Sequence, residues 1–120
     1  MIETRGIGHI HLLVNDLEAS LGFYTQAFGL VEAFRVDSKM VFLDIPGTSD
    51  VIVLHEIEER GSGESPRMDH FGLRIRDVER LDAAVAEIEA AGGKVLKRGK
   101  HAGEFPYAYV ADPDGHVIEL

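Results

Sequence analysis

Two histidines and one glutamate first suggest chemistry in this 120-residue chain. His9 opens the alternating segment His9-Ile10-His11-Leu12-Leu13-Val14, His70 opens a similar one, and Glu119 lies in the final run Val117-Ile118-Glu119-Leu120. Two neutral imidazoles with one carboxylate suit a divalent Fe, Zn, Mn or Ni ion, and a three-ligand set leaves positions open for water and substrate. The chain has no cysteine, so thiolate nucleophiles, disulfides and Cys-held zinc or iron–sulfur centres are excluded. Any metal must be held by His and carboxylate.

The elements that position these residues repeat. His9 to Glu18 lies on His70 to Glu79 at an offset of 61, matching a His, a Leu, a β-branched residue, an Asp, an aliphatic and a Glu. Residues 8–14 alternate with the period of a half-buried strand, His9, His11 and Leu13 on one face and Ile10, Leu12 and Val14 on the other. Asn15 with Glu18 has the form of a capping box, and Leu17, Leu21, Tyr24 and Phe28 then recur at helical spacing until Gly29. In the second half residues 70–75 read as the strand, Asp77 as the cap and Val78, Leu81, Val85 and Ile88 as the helical stripe, ended by Gly92-Gly93. Further strands are expected at 31–36, 39–45 and 50–56, and at 94–97, 106–111 and 116–120. The chain thus reads as one α+β domain over 1–120, made of two βαβββ units (1–57 and 67–120), with the polar stretch 58–66 as linker. If the units pack about a pseudo-twofold axis, His9, His70 and Glu119 share the non-helix face. The repeat partner of Glu119 is Val53, so three protein ligands are expected and that corner of the pocket is apolar.

The same alternation supplies further site candidates. His11, two residues from His9 on the same face, is a proton carrier or substrate contact. Tyr107 and Tyr109 share one face, and with their repeat partners Met40 and Phe42 they form a pocket wall in which the Tyr109 hydroxyl is an acid or orienter. His55 lies two residues beyond Val53 on the same face, and Arg74, on the face of His70, suits an anionic substrate group or a salt bridge across the sheet. His101 and His116 read as solvent-exposed residues in or beside turns. Asp112-Pro113-Asp114-Gly115 reads as a tight turn whose carboxylates need no catalytic explanation.

Composition narrows the partners. The net charge is −9 and there is no Lys/Arg run, so nucleic acid lacks its main attraction. No apolar stretch is long enough for a membrane span and Met1 to Arg5 has no signal-peptide character, so a cytoplasmic protein is expected.

Gly8 to Ser20 with Phe23-Tyr24 and Phe28-Gly29, His70-Phe71-Gly72-Leu73, and Asp112 to Leu120 resemble the vicinal oxygen chelate superfamily over essentially the whole chain. That grouping includes glyoxalase I, extradiol dioxygenases, fosfomycin resistance proteins and bleomycin-binding proteins. The resemblance implies paired βαβββ units forming an open, cupped mixed sheet with helices outside, around one divalent metal whose ligands are the residues at positions 9, 70 and 119. It implies a small-molecule enzyme in which the metal acts as Lewis acid on a bidentate oxygen substrate, a lyase or isomerase. The alternatives are Fe(II)-dependent dioxygenase chemistry and a bleomycin-resistance-type binding protein. A homodimer is also implied, in some members with the halves exchanged so that each site draws on both chains.

Overall fold

A computed structural model describes residues 7–58, 68 and 70–120 of the chain. The elements run β1 (His9–Val14), α1 (Leu17–Phe28), β2 (Val31–Asp37), β3 (Met40–Asp44), β4 (Val51–Glu56), β5 (Phe71–Gly72), a 3-10 turn (Val78–Arg80), α2 (Leu81–Ala90), β6 (Lys94–His101), β7 (Phe105–Ala111) and β8 (Val117–Glu119). Strand, helix and three strands occur twice, forming two four-stranded mixed sheets of equivalent order, β1-β4-β3-β2 and β5-β8-β7-β6. In each sheet the first and last strands pair in parallel and the other neighbours antiparallel. The fold is α+β. Apart from Glu58, the expected linker at 58–66 lies outside the described residues, as does the start of the chain.

Several local expectations are corrected. The cap of α1 is Asp16, whose carboxylate accepts from the Ala19 backbone N–H at 2.9 Å. Asn15 is taken up elsewhere, its own N–H donating to Asp114. The strand expected at 70–75 is only Phe71–Gly72, although the Leu73 N–H still bonds the Glu119 carbonyl. Val78 sits in the 3-10 turn and is exposed, so the buried stripe of α2 is Leu81, Val85 and Ile88. β6 continues to His101, well past the expected end at 97.

Burial follows the alternation. Leu12 and Val14 of β1 point at the helix layer, joined by Leu17, Phe23 and Tyr24 of α1, Val41, Leu43, Ile52 and Leu54 of the first sheet, and Ala108, Val110 and Ile118 of the second. Each large aliphatic or aromatic side chain removed from water here contributes about 1.5–3 kcal/mol before entropy is counted. The two halves meet through this one cluster and through a polar clamp. Asp112, only 4% exposed, accepts the Tyr24 hydroxyl at 2.9 Å. Asp114 accepts the Asn15 N–H at 2.8 Å and the Ser20 hydroxyl at 3.0 Å, and the His116 ring donates to the Leu13 carbonyl at 2.8 Å. The turn at 112–115 therefore holds the second half on the start of α1. Among the described residues no helix is long and apolar enough to cross a membrane.

Candidate metal and substrate site

The site is built outward from β8. Ile118 is fully buried against the helix layer, so alternation turns Val117 and Glu119 to the opposite face. In register, Glu119 lies between Gly72 of β5 and Tyr109 of β7. Gly72 has no side chain, which leaves the space beside Glu119 to His70, two residues earlier. His70 Nε2 stands 3.0 Å from Glu119 Oε2. The other carboxylate oxygen, Oε1, accepts from His101 Nε2 at 2.7 Å. A carboxylate offers only lone pairs, so the His101 ring presents an N–H to it. The hydrogen bond from His101 leads the causes holding the Glu119 carboxyl below the usual carboxylate range; a bond from the Tyr109 hydroxyl and the charges of His101 and His70 act the same way. Glu119 is thus held as an anion.

Aromatic rings enclose this carboxylate. His70 meets Tyr109 edge-on at 5.0 Å, Tyr109 meets Tyr107 at 5.3 Å, and Tyr107 stacks on His101 at 4.2 Å. The pairing of Tyr107 and Tyr109 on one face agrees with their alternation. Arg74 is exposed beyond β5, and no ion pair between described residues includes it, so the expected salt bridge is absent from them.

The other candidates gather on the first sheet. His11 Nε2 and His55 Nδ1 are 3.2 Å apart, a bond in which one ring donates and the other accepts. Desolvation, then the neighbouring charges of His55 and His9, lower the His11 pKa, keeping that ring neutral. Phe42 stacks on Phe34 at 4.5 Å across β2 and β3. Val53, expected in the pocket wall, is fully buried, so it backs this face instead of lining a free surface. His9 is exposed and, with Ile45, Asp50, Gly72 and Leu73, borders a cleft of about 260 Å³. That is below the roughly 300 Å³ at which pockets for drug-sized ligands begin.

His70 and Glu119 are therefore brought together, whereas His9 is not joined to them: among the described residues no three His, Asp or Glu side chains converge to hold a cation. The topology explains this, because His9 opens an edge strand of one sheet, whereas Glu119 lies in β8 of the other and His70 directly precedes that sheet's β5. His70 and Glu119 fit a divalent ion in donor type and proximity, as a half-site needing further ligands. The residue that sequence reasoning missed is His101. The expected end of β6 at 97 left it out, whereas the strand runs on to His101, which pairs with Phe105 beside a short turn at Ala102-Gly103.

The chain matches the family model for the Glyoxalase/Bleomycin resistance protein/Dioxygenase superfamily over residues 6–120. It is 30% identical to a probable lactoylglutathione lyase of Vibrio parahaemolyticus, with 93% of this chain and 86% of that protein covered. It is also 30% identical to the metallothiol transferase FosB of Bacillus licheniformis, with 96% and 73% covered. Among solved structures, a mutant of the fosfomycin resistance protein FosX of Listeria monocytogenes, complexed with Mn(II) and 1S,2S-dihydroxypropylphosphonic acid, superposes with a TM-score of 0.72 at 26% identity. That match covers 98% of this chain and 90% of the other. The twofold strand–helix–strand pattern, the paired sheets and the match over nearly all its length make this chain a member of the glyoxalase/bleomycin resistance protein/dioxygenase superfamily.

Proposed function

We propose that this protein is a divalent-metal-dependent enzyme acting on a small substrate that presents two oxygens to the ion, in the manner of a lyase or isomerase. The observation that carries this reading is the carboxylate of Glu119, held as an anion 3.0 Å from the Nε2 of His70 and walled by Tyr107 and Tyr109. In this reading His70 and Glu119 hold the ion with His9 as the third ligand, and the ion supplies Lewis-acid polarisation of the substrate oxygens. The chain's own residues do the rest. Tyr109 orients Glu119 through its hydroxyl, the neutral His11 with its partner His55 carries a proton, and Phe42, Tyr107 and Arg74 shape and charge the pocket.

We infer further that His9 reaches the half-site from a second copy of the chain. All seven residues of β2 are exposed, and Val31, Phe34, Val36, Leu96 and Phe105 are each more than half exposed, apolar area of the kind a homodimer covers. The Mn(II) of the FosX complex and the name metallothiol transferase support a metal in this family without fixing its identity here.

The test is metal analysis of untagged protein, with assays for lactoylglutathione formation, fosfomycin modification and catechol cleavage. Zinc, nickel or manganese near one ion per chain, with both metal and turnover lost in Glu119→Ala, is the expected result. Full iron occupancy with catechol cleavage would move the assignment to a dioxygenase. Substoichiometric metal, with ligand binding untouched by His9→Ala, His70→Ala and Glu119→Ala, would make it a binding protein.

A further inference from the structure

Glu119 has two oxygens, and the structure treats them differently. Oε2 faces His70, while Oε1 is engaged by His101 from the far side. His101 is the last residue of β6, at a hairpin whose turn carries Ala102 and Gly103 at positive φ. Its side chain is 56% exposed, and packing alone would leave such a ring free to swing. Two features fix it. The ring stacks on Tyr107 at 4.2 Å with only 24° between planes. Tyr107 in turn lies over Gly99, its cross-strand partner, so closely that a Cβ on Gly99 would stand 2.6 Å from the Tyr107 hydroxyl oxygen. The missing side chain at 99 lets Tyr107 lie flat enough to carry His101, and His101 then points its N–H at Oε1.

Resting on the metal-dependent reading above, we propose that His101 is a positioning residue of the metal site, holding the outer oxygen of Glu119 so that the inner oxygen, beside His70, is the one offered to the ion. A carboxylate with one oxygen committed to an N–H binds through the other oxygen alone, which saves a coordination position for substrate. Without His101 only the Tyr109 hydroxyl still holds the carboxylate, which can then turn to engage the ion through both oxygens. Partners of this kind are worth about 10- to 100-fold in metal affinity at other sites.

The experiment is competitive titration of metal-stripped full-length protein with Zn(II), and with Co(II) read by its visible absorption. His101→Ala is expected to weaken Zn(II) binding at least about tenfold and to change the Co(II) band, because a second carboxylate oxygen alters the coordination. His101→Gln, whose amide N–H reaches about as far as Nε2–H, is expected to restore most of both. Gly99→Ala, which displaces Tyr107 and with it the ring that carries His101, should reproduce the alanine effect in milder form. Unchanged affinity and spectrum in His101→Ala, with binding abolished in Glu119→Ala, would overturn the positioning role and leave the metal-dependent reading standing. Loss in His101→Ala as complete as in Glu119→Ala, unrescued by Gln, would overturn it by making His101 a ligand. If the wild-type protein binds neither ion, the reading beneath the proposal fails with it.

Discussion

Asp112 shows how far a single buried side chain reaches in this fold. One of its oxygens accepts backbone N–H groups of Asp114 and His116, the other the hydroxyl of the fully buried Tyr24. Removing the carboxylate in Asp112→Ala strands all three donors, so a loss of about 2–4 kcal/mol is expected by urea unfolding. Asp112→Asn keeps one acceptor oxygen and can reverse the bond to Tyr24, and should cost about 1–2 kcal/mol at neutral pH. Burial raises the Asp112 carboxyl above its usual value, with His116 and the hydrogen bonds pulling against it. The sign follows from linkage: a carboxyl raised on folding binds its proton more tightly in the native state. Its contribution is therefore complete below the unfolded pKa near 3.9 and is lost as pH rises through the higher folded value. Measured across that window, the stability of wild type relative to Asp112→Asn should fall as pH rises; a flat difference would place the Asp112 pKa at its ordinary value. The sequence marked residues 112–115 as a turn, which they are, but could not show that both carboxylates reach into the other half. Turn chemistry is local, whereas the acceptors' partners, Asn15, Ser20 and Tyr24, lie some 90 residues away.

At the scale of elements, periodicity was legible wherever a strand or helix had one dry face. The β1 alternation, the α1 stripe with its Gly29 cap at φ 66°, and the outward turn of Glu119 all follow from it. What did not follow lay where alternation loses its meaning. β6 is exposed along most of its length, so no buried face marked its extension to His101, and β5 is too short to carry a pattern. The junction of α1, α2 and β7 gives a sharp test of packing between elements. A Cβ on Gly93 would stand 2.7 Å from atoms of both Ile88 and Phe23 and 2.8 Å from the Ala111 carbonyl oxygen. Gly93→Ala should therefore destabilise by about 1–3 kcal/mol through overpacking, read as a lower urea midpoint at unchanged m-value. Gly92, the neighbouring glycine, has φ 94° but nothing near its Cβ position, so Gly92→Ala tests backbone strain at the same helix end without the clash.

For the whole molecule the question is how many chains build one site. With His9 on one sheet, and Glu119 on the other with His70 just before its β5, a site shared across a dimer predicts sedimentation at twice the 13.2 kDa chain mass at micromolar concentration. It also predicts complementation. His9→Ala and Glu119→Ala are each expected to be inactive, yet after mixing and exchange half the dimers are mixed and each carries one intact site, so about a quarter of the sites should recover. No recovery after verified exchange would mean that each site belongs to a single chain.

The clamp at 112–116 has a consequence for the chain's continuity. Among the described residues the halves are joined by Tyr24 with Asp112, Ser20 and Asn15 with Asp114, Leu13 with His116 and α1 with α2. These contacts supply recognition between the halves independently of the peptide bonds that connect them. Fragments 1–58 and 68–120, produced as separate polypeptides, should accordingly find each other and reassemble, with Asp112→Ala abolishing the reunion. The protein would then serve as a two-piece reporter whose pieces are held by non-covalent contacts alone.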